Sequence, residues 1–339
     1  MSAEWPIVDR MPISPAPLPH DLGAHFSVAE ARDAGVARAR LRAKDLVSPF
    51  HGARRAASDV RAENAVIDAD TGPASIGRAS KRRMMSKARS FLTVMSPGGF
   101  ICGQSAAVLR GHPVDLPDEL VVGVLSPRRA PKGAGVRGRR LEPRLVEIED
   151  LDGIPISSAA TTWAMLGREL SVRELVILGD AVVQIPRDRY GIQHPEQADA
   201  TIDDLFDAME AGLRPGVKKL RAAFDRIRVG SSSPLETEFR LDAEDAGLPR
   251  PELDYEVRDR RGRLLGISEF AYLLFKTVVE VEGDHHRTSR TQWNRDLQKY
   301  RDYAAAGWET IRLTSENIRT RRNATRIVRE VLERRRAHT

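Results

Sequence analysis

Two stretches near the C-terminal end can bring carboxylates together. Residues 263–272 and 276–283 read as strands, and the second, Lys-Thr-Val-Val-Glu-Val-Glu-Gly, is rich in β-branched residues. If the chain folds back between Leu274 and Phe275, Glu269 falls directly across from Glu280, and side chains paired in this way have Cβ atoms about 4.5–5.5 Å apart. Carboxylates at that range repel unless a cation or a proton lies between them. Strand side chains alternate, so Glu282 shares the face of Glu280 while Val279 and Val281 turn toward a core. Three carboxylates then converge, a hard-oxygen set suited to Mg2+ or Mn2+. Such an ion can clamp a phosphodiester, lower the pKa of a bound water and stabilise a leaving oxygen. His286, just beyond the strand, offers a general base or a phosphate ligand. The alternative is a solvated sheet face where glutamates meet arginines and the histidines occupy an ordinary turn. Leu273, Leu274 and Phe275 lack turn chemistry, which leaves a wider or displaced bend as the alternative. A slip of one residue would send Glu269 to the other face.

The ordered series Ser233-Pro-Leu-Glu236, Leu265-Gly-Ile-Ser-Glu269-Phe-Ala-Tyr, Val279-Glu280-Val-Glu282-Gly-Asp-His-His286, Arg295-Asp296 and Ala306-Gly307-Trp308 resembles a family of unknown-function domains. That family is allied to the very-short-patch-repair endonucleases and has a restriction-endonuclease-like fold. The resemblance covers about the last third of the chain. It implies that Glu236 is the acidic residue of the first helix and Glu269 that of the second strand. Glu280 and Glu282 are the acidic pair of the third strand, His286 is the histidine after the glycine, and Asp296 is an acidic residue of the following helix. The chain departs from the family in having glutamate where aspartate is usual at 269 and 282, which puts tight Mg2+ geometry in doubt. It also lacks the lysine two residues after the strand glutamate, where Glu282 stands. Lys299 on the next helix is a candidate substitute, although a lysine on a charged helix is far more often a solvated surface residue.

Elements must position these residues. Ser233 as N-cap, Pro234 at the first helical position and Glu236 three residues after the cap make a capping box, a structural role compatible with a place in the site. Trp293, Leu297, Tyr300 and Ala304 recur at helical spacing as a core stripe. Gly307 closes that helix, and residues 308–314 form another strand.

With 339 residues the chain has room for two or three domains. A net charge of +6 and a pI near 9.6, mostly from arginine, suggest a polyanionic partner more than an acidic small molecule. Cys102 is the single cysteine, which excludes a disulfide framework and a thiolate metal site. No apolar run of 18 residues and no signal-peptide pattern stand out, so no membrane partner and a cytoplasmic location are expected.

At the other end, Phe26-Ser27-Val28-Ala29-Glu30 is a capping box with Phe26 as its hydrophobic staple. A short helix to about Ala34 ends at Gly35, and a second is expected over residues 36–47, carrying Arg38, Arg40, Arg42 and Lys44. Residues 47–56, with Arg54 and Arg55, suit a small β-wing that touches phosphates. This segment of about forty residues resembles the winged helix-turn-helix of abortive-infection type IV antitoxins, which implies DNA binding. A surface helix rich in arginine is the alternative.

Residues 57–81 read as a linker or extended insertion. The middle region alternates helices with short strands and resembles the same antitoxin-like proteins. Within it, Arg128, Arg129, Lys132, Arg137, Arg139, Arg140 and Arg144 are interrupted by Pro131, Gly133, Gly135 and Gly138, which reads as a flexible basic loop, phosphate-binding or merely solvated.

The expected architecture is a multidomain α/β chain. It has a winged helix-turn-helix over residues 20–60, an α+β middle domain over 81–227 and a restriction-endonuclease-like α/β domain with a mixed sheet over 230–339. The leading functional expectation is a DNA-binding, Mg2+- or Mn2+-dependent endonuclease or nickase. The alternative is a non-catalytic DNA-binding regulator or antitoxin-like protein of a toxin-antitoxin or phage-defence system. The expected partners are DNA, a second copy of the chain in a homodimer, and a cognate toxin in the antitoxin reading.

Overall fold

The computed structural model describes residues 15–72, 74–282 and 290–337. It is a mixed α/β chain built on three sheets. The first is small and antiparallel, with order β1-β3-β2, where β1 is Phe26–Ser27, β2 Leu46–Val47 and β3 Ala53–Ala56. Helix α1 (Val28–Asp33) starts at the expected capping box: Glu30 N–H donates to Ser27 Oγ at 3.0 Å, and Ser27 N–H donates to Glu30 Oε2 at 2.7 Å.

The second helix expected over residues 36–47 does not form; only a 3-10 turn, Arg40–Arg42, lies there. Between Val36 and Asp45 only Val36 and Leu41 join the apolar cluster of this unit, too little packing to offset the cost of starting a helix. Arg40 instead grips both oxygens of Asp45, at 2.9 and 2.7 Å.

The expected linker over 57–81 is also corrected. Helices α2 (Ala57–Ala69) and α3 (Ser75–Leu92) occupy this stretch. Met84, Ala88 and Phe91 of α3 pack into the core of the second sheet, and Phe50 meets Phe91 edge-on with ring centroids 5.2 Å apart.

That second sheet has the order β6-β7-β5-β4-β9-β8. Its strands are β4 (Gly99–Ile101), β5 (Leu120–Leu125), β6 (Lys132–Gly133), β7 (Val136–Leu141), β8 (Ile148–Leu151) and β9 (Ile154–Ser157), with α4 (Gly103–Arg110) between β4 and β5. The basic segment is therefore not a flexible loop, because β7 runs parallel to β5 over six residue pairs. Its arginines have partners: Arg137 donates to Gln104 at 2.8 Å and Arg139 pairs with Glu169. Gly138 is required here, since a Cβ on it would lie 2.0 Å from the Pro131 carbonyl oxygen. A helical layer follows: α5 (Ala159–Met165), α6 (Val172–Val182), α7 (Ile202–Glu210) and α8 (Val217–Phe224), closed around Trp163 and Leu205.

The C-terminal unit runs α9 (Pro234–Asp245), β10 (Glu252–Arg258), β11 (Leu264–Tyr272), β12 (Thr277–Glu282), α10 (Arg290–Ala305), β13 (Glu309–Thr314) and α11 (Ala324–Arg336). Its sheet order is β10-β11-β12-β13, antiparallel except for the β12–β13 pair, which α10 connects as a crossover. Phe239 of α9 and Val328 and Leu332 of α11 pack with Phe270, Val279 and Val281 on one face. Tyr303 of α10 packs with Val257, Ala271 and Val278 on the other. Among the described residues no helix is long and apolar enough to cross a membrane.

Candidate active site

The β11–β12 hairpin has the register expected from alternation. Phe270 pairs with Val279, Ala271 with Val278 and Tyr272 with Thr277, so one step further Glu269 stands opposite Glu280. The bend is a 3-10 turn, Leu273–Phe275, and the turn chemistry absent from those residues is supplied by Lys276, which takes a left-handed conformation at φ 42°. Past Phe270 the backbone ladder stops. There the Glu269 carboxylate accepts the Val281 N–H across the gap. Val279 and Val281 lie in the core facing α9 and α11, which turns Glu280 toward α10.

Lys299 of α10 meets it. Its Nζ lies 2.8 Å from Glu280 Oε2, with the lysine side chain 21 % exposed and the glutamate 8 %. Gly266 lets the helix come this close: a Cβ there would sit 2.7 Å from the Tyr303 hydroxyl and 3.1 Å from Lys299 Cγ. Tyr303 is fully buried, and its hydroxyl has no hydrogen-bond partner among the described residues. The core stripe expected on this helix is rotated. Leu297 and Ala304 are exposed, Tyr300 is half-buried and the side chain of Trp293 lies outside the described residues, while Tyr303, four residues after Lys299, is the buried anchor. Lys299 and Tyr303 thus share the inward face.

Glu236 arrives from the N-terminus of α9. Ser233 Oγ accepts the Glu236 N–H at 3.2 Å, as expected of the cap. The return bond differs from the expected capping box: Glu236 Oε2 accepts the N–H of Ser232 at 2.7 Å, one residue before the cap, and Oε1 accepts the Ser233 hydroxyl at 2.7 Å. Helix α9 is itself fixed to the middle unit. Asp180 of α6, 1 % exposed, accepts from Arg240 at 2.7 Å, Thr237 at 2.8 Å and the Arg228 N–H at 2.9 Å. Glu236 thus serves the cap of α9 through both of its carboxylate oxygens.

Burial pushes the Glu236 carboxyl up to about 7, and the charges of Asp254 and Glu280 add to the rise against the two serine hydrogen bonds. Burial likewise holds Glu269 well above the usual carboxylate range, reinforced by Glu236 and Glu280. Three carboxyls therefore share one low-dielectric region with one lysine. Asp254 was not anticipated from sequence. It sits on β10 in a left-handed conformation, φ 49°, and Arg187, from the segment after α6, holds its carboxylate at 2.9 and 2.8 Å.

Glu282 is drawn away from this group and pairs with Arg312 of β13. His286 lies outside the described residues, as does the side chain of Asp296. Among the described residues no group of three or more His, Cys, Asp or Glu is arranged to hold a metal ion. Of the three carboxylates expected to hold an ion, Glu269 and Glu280 stand opposite each other across the hairpin, and Glu282 does not join them.

At the N-terminal unit, Arg38, Arg42 and Lys44 are exposed. Arg40 is tied to Asp45. Arg54 donates to the Leu41 carbonyl at 3.0 Å and to Ser48 Oγ at 2.8 Å. Arg55 is 7 % exposed and pairs with Glu63 at 2.8 Å, so it faces inward.

In comparisons with known proteins, no family model, no curated protein and no solved structure matches the chain.

Proposed function

We propose that the chain binds DNA and hydrolyses its phosphodiester backbone with Mg2+ or Mn2+, at a site formed by Glu269, Glu280 and Lys299 and oriented by Glu236. The observation that carries this reading is the gathering of three buried carboxyls with the Lys299 ammonium where α9, β11 and β12 converge. Those are the first helix and the second and third strands of the C-terminal unit, the elements to which the family resemblance assigns its acidic residues. The mixed sheet of this unit also supports the reading.

Glu269 and Glu280 would hold the ion, which when bound supplies Lewis-acid stabilisation and a water of lowered pKa. Lys299 contributes a fixed positive charge. An ammonium has three N–H donors; Glu280 takes one and orients the group, and the others serve a phosphate oxygen or the attacking water. Glu236 orients that water through the carboxyl its two serines hold in place. DNA is the polyanion that a net charge of +6 and the exposed Arg38, Arg42 and Lys44 favour.

A second reading is a DNA-binding regulator, antitoxin-like, that keeps this arrangement without cutting. It is favoured by the internal satisfaction of the cluster. Glu236 is held by Ser232 and Ser233, Glu269 by the Val281 N–H, Glu280 by Lys299 and Glu282 by Arg312.

Incubation of supercoiled plasmid with the purified chain and Mg2+ or Mn2+, beside Glu280→Ala, separates the two. Nicking that disappears in the variant supports cleavage at this site. Shifted but uncut DNA with both proteins transfers the assignment to the regulator.

A further inference from the structure

The ladder between β11 and β12 covers only Phe270 to Tyr272, whereas β10 and β11 stay paired out to Arg258 and Leu264. Beyond Phe270 these two strands therefore leave the sheet as a two-stranded ribbon. Its root is fixed on both sides. Val257, fully buried, packs with Tyr303 of α10. Arg187 holds Asp254 at 2.8 Å and Glu256 at 3.2 Å, and a Cβ on nearby Gly191 would lie 2.8 Å from Ile267 Cδ1. Past the Val257–Gly266 pair only the tip remains, residues 258–264, exposed except for partly buried Asp259.

The tip is a tightly bonded turn. Gly262 N–H donates to the Asp259 carbonyl at 3.0 Å, and the Asp259 carboxylate accepts the N–H groups of Arg261 at 2.8 Å and Arg263 at 3.0 Å. Gly262 takes the left-handed conformation, φ 82°. An aspartate that bonds the backbone two residues on and a glycine at the positive φ are what such a turn requires. Four arginines stand on it, Arg258, Arg260, Arg261 and Arg263. The acids beside them are taken: Glu256 pairs with Arg258 at 2.6 Å and Asp259 with Arg263 at 3.2 Å. Arg260 and Arg261, both exposed, are left without an acidic partner among the described residues. Like charges gathered on one turn repel, and a polyanion laid against them relieves this.

Shape narrows the partner. The free tip extends about three residues beyond Val257, about 10 Å at about 3.3 Å per residue. The major groove of B-DNA, about 12 Å wide and about 8.5 Å deep, admits a two-stranded ribbon. The major groove of an RNA duplex is deep and narrow and does not.

We infer that the tip of the β10–β11 ribbon enters the major groove of duplex DNA, with Arg260 and Arg261 neutralising phosphates along its edges. The inference rests on the reading of the chain as a DNA-binding protein. Strand β11 carries both an arm of the tip and Glu269, so DNA seated on the tip is tied to the proposed cleavage site by one continuous strand.

Fluorescence anisotropy of the full chain without divalent metal, on a labelled DNA duplex and an RNA duplex of the same sequence at several salt concentrations, tests this apart from cleavage. Arg260→Ala combined with Arg261→Ala should weaken DNA binding about tenfold and reduce the salt slope by about two, one for each phosphate no longer neutralised, without shifting the melting curve. Arg326→Ala combined with Arg336→Ala removes the same charge from α11, on the other face of the sheet from α10, and should change the slope much less. The RNA duplex should bind more weakly and lose little in the tip variant. Unchanged affinity and slope in the tip variant, an equal effect of the α11 variant, or an equal loss on RNA overturns the assignment and leaves DNA binding and cleavage standing. A wild type that binds no duplex overturns it together with the DNA reading. The expected slope change without nicking supports the tip and removes only cleavage.

Discussion

Lys299 reaches from α10 to the third strand of the C-terminal sheet and sets its Nζ 2.8 Å from Oε2 of Glu280. The pair joins a helix to a strand 19 residues earlier in the chain and brings a cation into a group of buried carboxyls. Removing either partner leaves a charge in a low-dielectric region, so the geometry of α10 is bound to that of the β11–β12 hairpin. The consequences of that coupling can be measured.

Gly266→Ala tests how closely α10 must approach β11. The new Cβ would meet the Tyr303 hydroxyl at 2.7 Å and the Lys299 stem at 3.1 Å. Tyr303 is fully buried with no open space to move into, so the helix must shift. The expected loss is about 1–3 kcal/mol, the usual cost of overpacking, read from urea denaturation. Activity should fall more than it does in a control such as Gly133→Ala, a strand position where the added Cβ meets no atom within 4 Å.

Stability should decline as pH rises. Glu236 and Glu269 have raised pKa values in the folded chain, Glu236 moving from 4.5 to about 7. Between those values the folded state keeps protons that the unfolded state has released, so the stabilisation present below 4.5 is lost as pH climbs to about 7. Thermal denaturation across this range should show a falling Tm, with a shallower slope in Glu236→Gln. Adding Mg2+ above that range should restore part of the loss, because a cation replaces the protons.

Asp180→Ala removes the anchor of α9. Arg240, whose side chain is 3 % exposed, would keep only Glu244, at 2.7 Å. Breaking one side of a buried ion pair costs about 3–5 kcal/mol, and chemical denaturation should find a loss of about that size. A change under about 0.5 kcal/mol, typical of a surface site, would mean that α9 is held by packing alone.

DNA affinity should divide the basic residues of the N-terminal unit. Replacing exposed Arg38, Arg42 and Lys44 by alanine should weaken binding and reduce the salt slope by about one for each phosphate no longer neutralised. Arg55→Ala should instead destabilise the unit, because it unpairs Glu63 of α2. Fluorescence anisotropy at several salt concentrations, with a melting curve for each variant, distinguishes the two behaviours.

The hairpin was legible because alternation fixes which strand residues face each other, and a β-branched run such as Thr277-Val-Val leaves little choice of register. The cap of α9 at Ser233 and the closure of α10 at Gly307, φ 84°, were legible for a similar local reason. What failed depended on partners distant in sequence. Residues 57–81 look like a linker until α3 is seen to bury Met84 and Ala88 against a sheet whose strands come later. Residues 136–141 look like part of a basic loop until β5 pairs with them. Arginine and alanine alternate over 37–40, which suggests a helix, but without apolar anchors packing does not favour one. Lys299 resembled any lysine on a charged helix. Its rotation inward is set by Tyr303 and by the room Gly266 leaves, neither of which is evident from the spacing of Leu297 and Ala304.

The most direct test is the rate of supercoiled plasmid nicking with Mn2+ by the wild-type chain, Lys299→Met and Glu269→Gln, each checked for an unchanged circular dichroism spectrum. The wild type should nick in a metal-dependent manner, and both variants should be slower by about a hundredfold or more, the scale seen when a group that stabilises transition-state charge is removed. Nicking that persists undiminished in folded Lys299→Met and Glu269→Gln, or no nicking by the wild type at any metal concentration, would contradict cleavage at this site.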